Sequence, residues 1–188
     1  MRQNEATGFT LIELLIGLAV VAVLIVLALP GYQTLQGRGV LEASLSTLAA
    51  DIRLARNTAI TRNRAVVLCK QKQALCTSDG GWEQGWLIYI DEGRSGVQDA
   101  TDPLIRQQTG WGYSLTLRGN SPVRNRIRFR PDGSLSGLSG AIVACDGSIR
   151  DYAADRSEAR ILIMATTGRL RTVRGDEYSG ITRCEALS

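Results

Sequence analysis

A chain of 188 residues, 44% of them hydrophobic, is long enough for one domain with a distinct membrane segment beside it. Basic residues exceed acidic ones by 22 to 18, for a formal charge of +4. All but Lys70 and Lys72 are arginines, the side chain that forks onto phosphates and carboxylates. No histidine is present, which removes the commonest general base and the commonest metal ligand, and no other nucleophiles and bases cluster; an enzyme, a metal site or a bound cofactor is not expected.

Phe9 to Leu29 is an apolar run whose only ionisable side chain is Glu13. As a helix it would be about 30 Å long, enough to span the hydrocarbon core of a bilayer. A secretory signal peptide is shorter and ends in a small-residue cleavage site, whereas this run ends in Leu29-Pro30-Gly31-Tyr32. A plain anchor has no use for a carboxylate, which costs about 2.5–3.5 kcal/mol at the bilayer centre on insertion scales. Glu13 therefore reads as functional, with its partner supplied by another chain. Pro30 removes a backbone donor and is expected to bend or loosen the helix, with Gly31, Gly37 and Gly39 adding freedom; the competing reading ends the helix at Leu29.

Thr7-Gly8-Phe9-Thr10-Leu11-Ile12-Glu13-Leu14-Leu15 resembles the processing signature of type IV prepilins and type II secretion pseudopilins. The resemblance implies a leader over residues 1–8, cut by a prepilin peptidase between Gly8 and Phe9 on the cytoplasmic side, followed by N-methylation of Phe9. It implies a single transmembrane helix over 9–29 in a bacterial inner membrane, a periplasmic half of the same helix over 30–64, and later passage into a pilus. It also implies that Glu13 meets the free N-terminus of a neighbouring subunit, which makes a buried carboxylate tolerable. Pro30 falls where this family usually places a kinking proline. Arg2 and Glu5 leave the leader almost without net charge, so orientation rests on the resemblance and on the cysteines rather than on the positive-inside rule.

Beyond the membrane segment, Leu41, Leu45, Leu48, Ile52, Ala55 and Ala59 repeat at helical spacing, with Glu42, Ser46, Asp51, Arg53 and Arg56 off the stripe. This half of the helix should lie against a sheet and end near Arg62-Asn63-Arg64. Strands are expected over residues 65–69, 85–90, 113–118, 126–130, 141–145 and 160–165, with a turn at Pro131-Asp132-Gly133. Asp91 to Asp102 reads as a solvated hairpin loop; its spacing of Asp and Gly is a poor match to a calcium loop. Cys69, Cys76, Cys145 and Cys184 form an even set suited to an oxidising compartment and allow three pairings. Cys69–Cys76 would close a hairpin and Cys145–Cys184 would tie down the C-terminus, for about 2.5 and 4 kcal/mol by loop-closure entropy. A zinc site fits these spacings poorly.

The fold expected is α+β: a long N-terminal helix packed on an antiparallel β-sheet domain over 65–188. The segment Leu54–Ile60, Gly85-Trp86 before a strand, Phe129-Arg130-Pro131-Asp132-Gly133 and Thr167-Gly168-Arg169-Leu170-Arg171 occur in an order that resembles the GspH/FimT group of minor pilins and pseudopilins. That likeness implies other minor and major pilins as partners, with a role in assembling or initiating a type IV pilus; a minor pseudopilin of a type II secretion system is the alternative.

Two arginine groups bear on function. Strand alternation sends Arg126, Arg128 and Arg130 to one face, where carboxylates or a polyanion should meet them, a solvated face with cross-strand partners being the plainer reading. Gly168-Arg169-Leu170-Arg171, with Arg174 and Arg183 nearby, is similar to a motif of FimT-type pilins, some of which bind DNA for natural transformation. A glycine turn would let two arginines splay towards phosphates of double-stranded DNA, giving affinity without sequence preference. No aromatic residue is interleaved for base stacking, and Asp176 and Glu177 follow closely enough to neutralise part of the patch.

Overall fold

A computed structural model describes residues 10–111, 115–146, 156–180 and Cys184, without the side chains of residues 26–38 and Asp146. The chain divides into two units, residues 1–38 and residues 39–188, each taken by itself below. One helix, α1 (Leu11–Arg62), contributes to both. It is helical through Pro30, so it does not end at Leu29.

In the first unit α1 opens on Thr10, whose hydroxyl accepts the backbone N–H of Glu13 at 3.3 Å. Thr10-Leu11-Ile12-Glu13 is the capping-box pattern, and an acid in the first turn also suits the helix dipole. The large apolar side chains from Leu11 to Ile25 are all exposed. Among the described residues no helix is long and apolar enough to cross a membrane; the apolar run read in the sequence continues through 26–29, whose side chains lie outside the described ones.

In the second unit the stripe on α1 is buried throughout, from Leu41 to Ala59. Asp51, placed off the stripe by its polarity, is buried as well, together with Ser44. The two stand seven residues apart on one helix face, and each has found a partner: the Ser44 hydroxyl donates to the Leu41 carbonyl, and Asp51 accepts the indole N–H of Trp86 at 2.8 Å. Arg106 adds an ion pair to Asp51 at 3.2 Å.

Among the described residues nine strands form two antiparallel sheets. The first contains β1 (Val66–Lys72), β2 (Leu75–Cys76), β3 (Gly85–Ile90), β4 (Leu104–Thr109) and β6 (Arg126–Phe129), in the order β2-β1-β3-β4 with β6 also paired to β1. The second contains β5 (Leu115–Gly119), β7 (Gly140–Asp146), β8 (Arg160–Met164) and β9 (Leu170–Arg174), in the order β5-β7-β8-β9. The six expected strands are present; β2, β4 and β9 were not foreseen. Half-exposed edge strands such as Leu-Ile-Arg-Gln-Gln-Thr and Leu-Arg-Thr-Val-Arg carry little apolar alternation to read.

The helix stripe meets the inner faces of both sheets in one core that includes Trp82, Trp86, Ile127, Phe129, Ile142 and Leu162. Each sheet also buries part of its outer face. On the first, Val67, Cys69, Leu87 and Tyr89 form a second cluster. On the second, Ala141, Val143, Cys145 and Ile161 pack with Tyr178 and Cys184, where the Cys145–Cys184 disulfide (Cα–Cα 5.9 Å) pins the C-terminal segment. The other disulfide, Cys69–Cys76 (Cα–Cα 5.6 Å), joins β1 to β2 across their hairpin.

Asp91 to Asp102 differs from its sequence reading. This loop is tethered to the outer face of the first sheet rather than solvated along its length. The Arg126 guanidinium donates to the Gly96 carbonyl and the Arg128 guanidinium to the Arg94 carbonyl, while Gln98 accepts the Cys76 N–H at 3.1 Å. Asp91 is fully buried, pairs with Arg128 at 2.9 Å and accepts the Gly96 N–H at 3.0 Å. Both contacts fall on Oδ2 of Asp91, and no metal-holding group of side chains occurs among the described residues.

Candidate functional site

Gly8 and Phe9, the expected cleavage and methylation residues, lie outside the described residues, as does Arg183. Glu13 occupies the first turn of α1, exposed, as the third residue of the helix cap. Pro30 is within α1 with its side chain outside the described set.

The remaining candidates belong to the second unit, where the arginine turn is built from three elements. Residues 165–168 turn between β8 and β9: the Gly168 N–H donates to the Ala165 carbonyl at 2.8 Å, and the Ala165 N–H to the Arg169 carbonyl at 2.9 Å. Gly168 has φ +78°, where a side chain is strained, and a Cβ there would sit 2.4 Å from the Gly133 carbonyl oxygen and 2.5 Å from Arg56 Nε. The glycine of the arginine motif is therefore required by packing. Arg56, on α1, explains why: its Nε donates to the Gly133 carbonyl at 2.9 Å and its Nη2 to the Thr167 carbonyl at 3.1 Å. One guanidinium thus ties the 131–133 turn and the 165–168 turn to the helix.

Held in this way, Arg169 and Arg171 project from the turn and from the edge strand β9, both exposed. Among the described residues neither has a carboxylate partner, whereas Arg174 pairs with Asp176 at 3.4 Å and Glu177 at 3.3 Å. The neutralising effect of those two acids falls on Arg174 and leaves Arg169 and Arg171 free. Beside the turn an open cleft of about 290 Å³ is lined by Arg53, Arg56, Asn57, Gly168, Arg169 and Leu170.

The structure separates the second arginine group from the first. Arg126 and Arg128 stand on the outer face of the first sheet with their guanidinium groups spent on the 91–102 loop and, for Arg128, on Asp91. Arg130 lies just past β6, exposed, with its backbone N–H donated to the Ser134 carbonyl at 2.8 Å. Among the described residues, the carboxylate expected to face this trio is present for Arg128 alone.

Sequence reasoning passed over three polar groups, Asp51 and Lys70 buried and Arg56 half-buried. Asp51 was signalled by its spacing from Leu48 and Ile52, whereas Arg56 reads in the sequence as one more charge off the stripe. Lys70 is buried on β1 and donates to the carbonyls of Ser78 at 2.9 Å and Gly80 at 2.8 Å. Burial, and then the Arg118 charge, lower its pKa below the ordinary lysine value. Nothing in a Leu-Cys-Lys-Gln run gives that lysine away.

A long N-terminal helix packed by its second half on two antiparallel sheets, behind a pilin-like leader sequence, is the architecture of type IV pilin-like proteins. Residues 44–168 match the type II transport protein GspH family, and residues 4–29 the prokaryotic N-terminal methylation motif. The chain belongs to the GspH family. The match ends at Gly168, so Arg169 and Arg171 lie just past it. The prepilin peptidase-dependent protein A of Clostridium perfringens (strain 13 / Type A) is 25% identical over 122 residues, covering 65% of this chain and 85% of that protein. Two crystal structures of the type IV minor pilin FimU of Pseudomonas aeruginosa (strain PAO1) share the fold. Their TM-scores are 0.55 and 0.54, with 21% and 20% identity, 74% and 72% of this chain covered and 92% and 94% of theirs.

Proposed function

We propose that the chain is a minor type IV pilin, cut by prepilin peptidase between Gly8 and Phe9, anchored in the inner membrane by α1 with its β-domain in the periplasm, and taken into a pilus with other pilins. The observation that carries this reading is the methylation motif at residues 4–29 heading a helix whose continuation forms the core of a GspH-family domain. The prepilin peptidase-dependent relative and the fold shared with FimU support it. On this reading the exposed, acid-free pair Arg169 and Arg171 binds duplex DNA through its phosphates, without sequence preference. A second reading, a minor pseudopilin of type II secretion, is favoured by the description of the matched family itself.

One experiment addresses processing and role together. Mass spectrometry of the chain from its own host should find a mature N-terminus at a methylated Phe9, and replacing Gly8 by a bulky residue should leave uncut precursor in the inner membrane. Deleting the gene should reduce piliation and leave protein secretion intact. A mature chain still beginning at Met1 removes the pilin reading, and a secretion defect with normal pili moves the protein to the second one.

A further inference from the structure

The cleft beside the arginine turn has a wall that the arginine motif does not supply. Arg53 and Asn57, four residues apart, lie on the same exposed face of α1, and together with Arg169 and Leu170 they line the cleft. Arg53 has no acidic partner among the described residues, and neither does Arg169. Arg56, between them, has already given its Nε and Nη2 to backbone carbonyls, so it fixes the spacing of the two walls. Asp51, the acid nearest to Arg53 in sequence, points into the core and is occupied by Trp86 and Arg106. Asp132, on the neighbouring turn, has its Oδ1 occupied by the N–H and hydroxyl of Ser134.

Two exposed guanidinium groups without carboxylates among the described residues, presented from a helix and a turn that the Arg56 hydrogen bonds hold in register, are a preformed site for the phosphates of a nucleic-acid backbone. We propose that Arg53 and Arg169 each hold one of two neighbouring backbone phosphates of duplex DNA at this cleft, so that the DNA track crosses from β9 onto α1 and does not run along β6. This inference rests on the DNA reading and adds to it a residue, Arg53, lying more than a hundred positions before the arginine motif. It also assigns a direction, because Arg126 and Arg128 are engaged with the 91–102 loop and cannot extend the track without releasing it.

The test uses the full processed chain in detergent and a short duplex DNA, with binding measured over a range of salt concentrations. Each phosphate contact contributes about −0.9 to the slope of log affinity against log salt. Arg53→Gln and Arg169→Gln should each flatten the slope by about that amount, and Arg124→Gln, an exposed arginine outside the cleft, should leave it unchanged. Melting curves check that each variant is folded; both target side chains are exposed and make no described hydrogen bond, so folding should survive. If Arg169→Gln flattens the slope and Arg53→Gln does not, the cleft is not the phosphate site and the inference fails while the DNA reading stands. Should Arg124→Gln flatten it equally, net charge and not the cleft carries binding, which also overturns the inference. If the unaltered chain binds no DNA even at low salt, both fall together.

Discussion

At the scale of single residues, the groups that set the geometry are polar ones, buried or half-buried, that are held by their partners. Asp51 satisfies the Trp86 indole, Arg56 satisfies two turn carbonyls, and Lys70 satisfies two more. An unpaired buried polar group costs about 1–3 kcal/mol, so each residue is held by what it would leave behind. Tyr89 turns the same physics into a pH dependence. Burial, and then the Asp91 and Asp102 carboxylates, push its phenol up to about 12, against about 10 in an unfolded chain. The folded state favours the neutral phenol, so this contribution is present in full below about pH 10 and is lost as pH rises through about 12. Two pK units correspond to about 2.7 kcal/mol. Denaturant titrations at pH 9 and pH 12 should show the native chain losing up to that much more stability than Tyr89→Phe over the interval. Equal losses would mean that Tyr89 titrates as an exposed tyrosine. The sequence showed that tyrosine within a β-strand pattern, but its environment comes from a loop whose placement no local pattern encodes.

At the scale of elements, legibility followed periodicity. The α1 stripe repeats at helical spacing, and the strands at 85–90 and 141–145 are continuous apolar runs, buried on both faces, so each stands out from the polar segments around it. The edge strands β4 and β9 were missed for the opposite reason: they are partly wet and carry Gln, Thr and Arg where a central strand carries Val and Ile. The arginine motif was legible as a motif, but its glycine was read as freedom for the arginines when it is the point where two turns and a helix meet. The 91–102 loop was read as solvated because its composition is polar. Its clasp is long-range, from β6 to a carboxylate that begins the loop. That clasp can be tested. Arg128→Ala would leave the fully buried Asp91 with one N–H donor, and breaking a buried pair from one side costs about 3–5 kcal/mol. Chemical denaturation should show a loss of that order, with faster amide exchange across 91–102, while Arg130→Ala should stay within about 0.5 kcal/mol. A small effect from Arg128→Ala would mean that Asp91 takes up water or a proton at little cost and that the loop is held by packing alone.

At the scale of the whole molecule, the two units carry different kinds of information. The second is a self-sufficient β-domain closed by two disulfides, with a core, an arginine turn and a cleft that can be described from its own residues. The first is a helix whose apolar side chains from Leu11 to Ile25 are all exposed, with one carboxylate among them, so its surroundings must come from outside the chain. On the pilin reading those surroundings are lipid and then neighbouring subunits, and Glu13 is the group that registers the change. Its backbone N–H has a separate part, donating to the Thr10 hydroxyl that caps α1. Glu13→Gln separates the two: glutamine serves equally well in a capping box, so the start of α1 is unchanged, but no charge remains to meet a neighbour's N-terminal ammonium. The variant should therefore insert in the membrane at normal levels, and even more readily, since the desolvation cost of the carboxylate is gone. Its share of sheared pilus material should nonetheless fall at least about tenfold, the factor that a lost interaction of about 1.4 kcal/mol produces. Immunoblots of membrane and sheared fractions from the same cells give both quantities. Equal content in fibres of native chain and Glu13→Gln would leave the carboxylate without an assembly role.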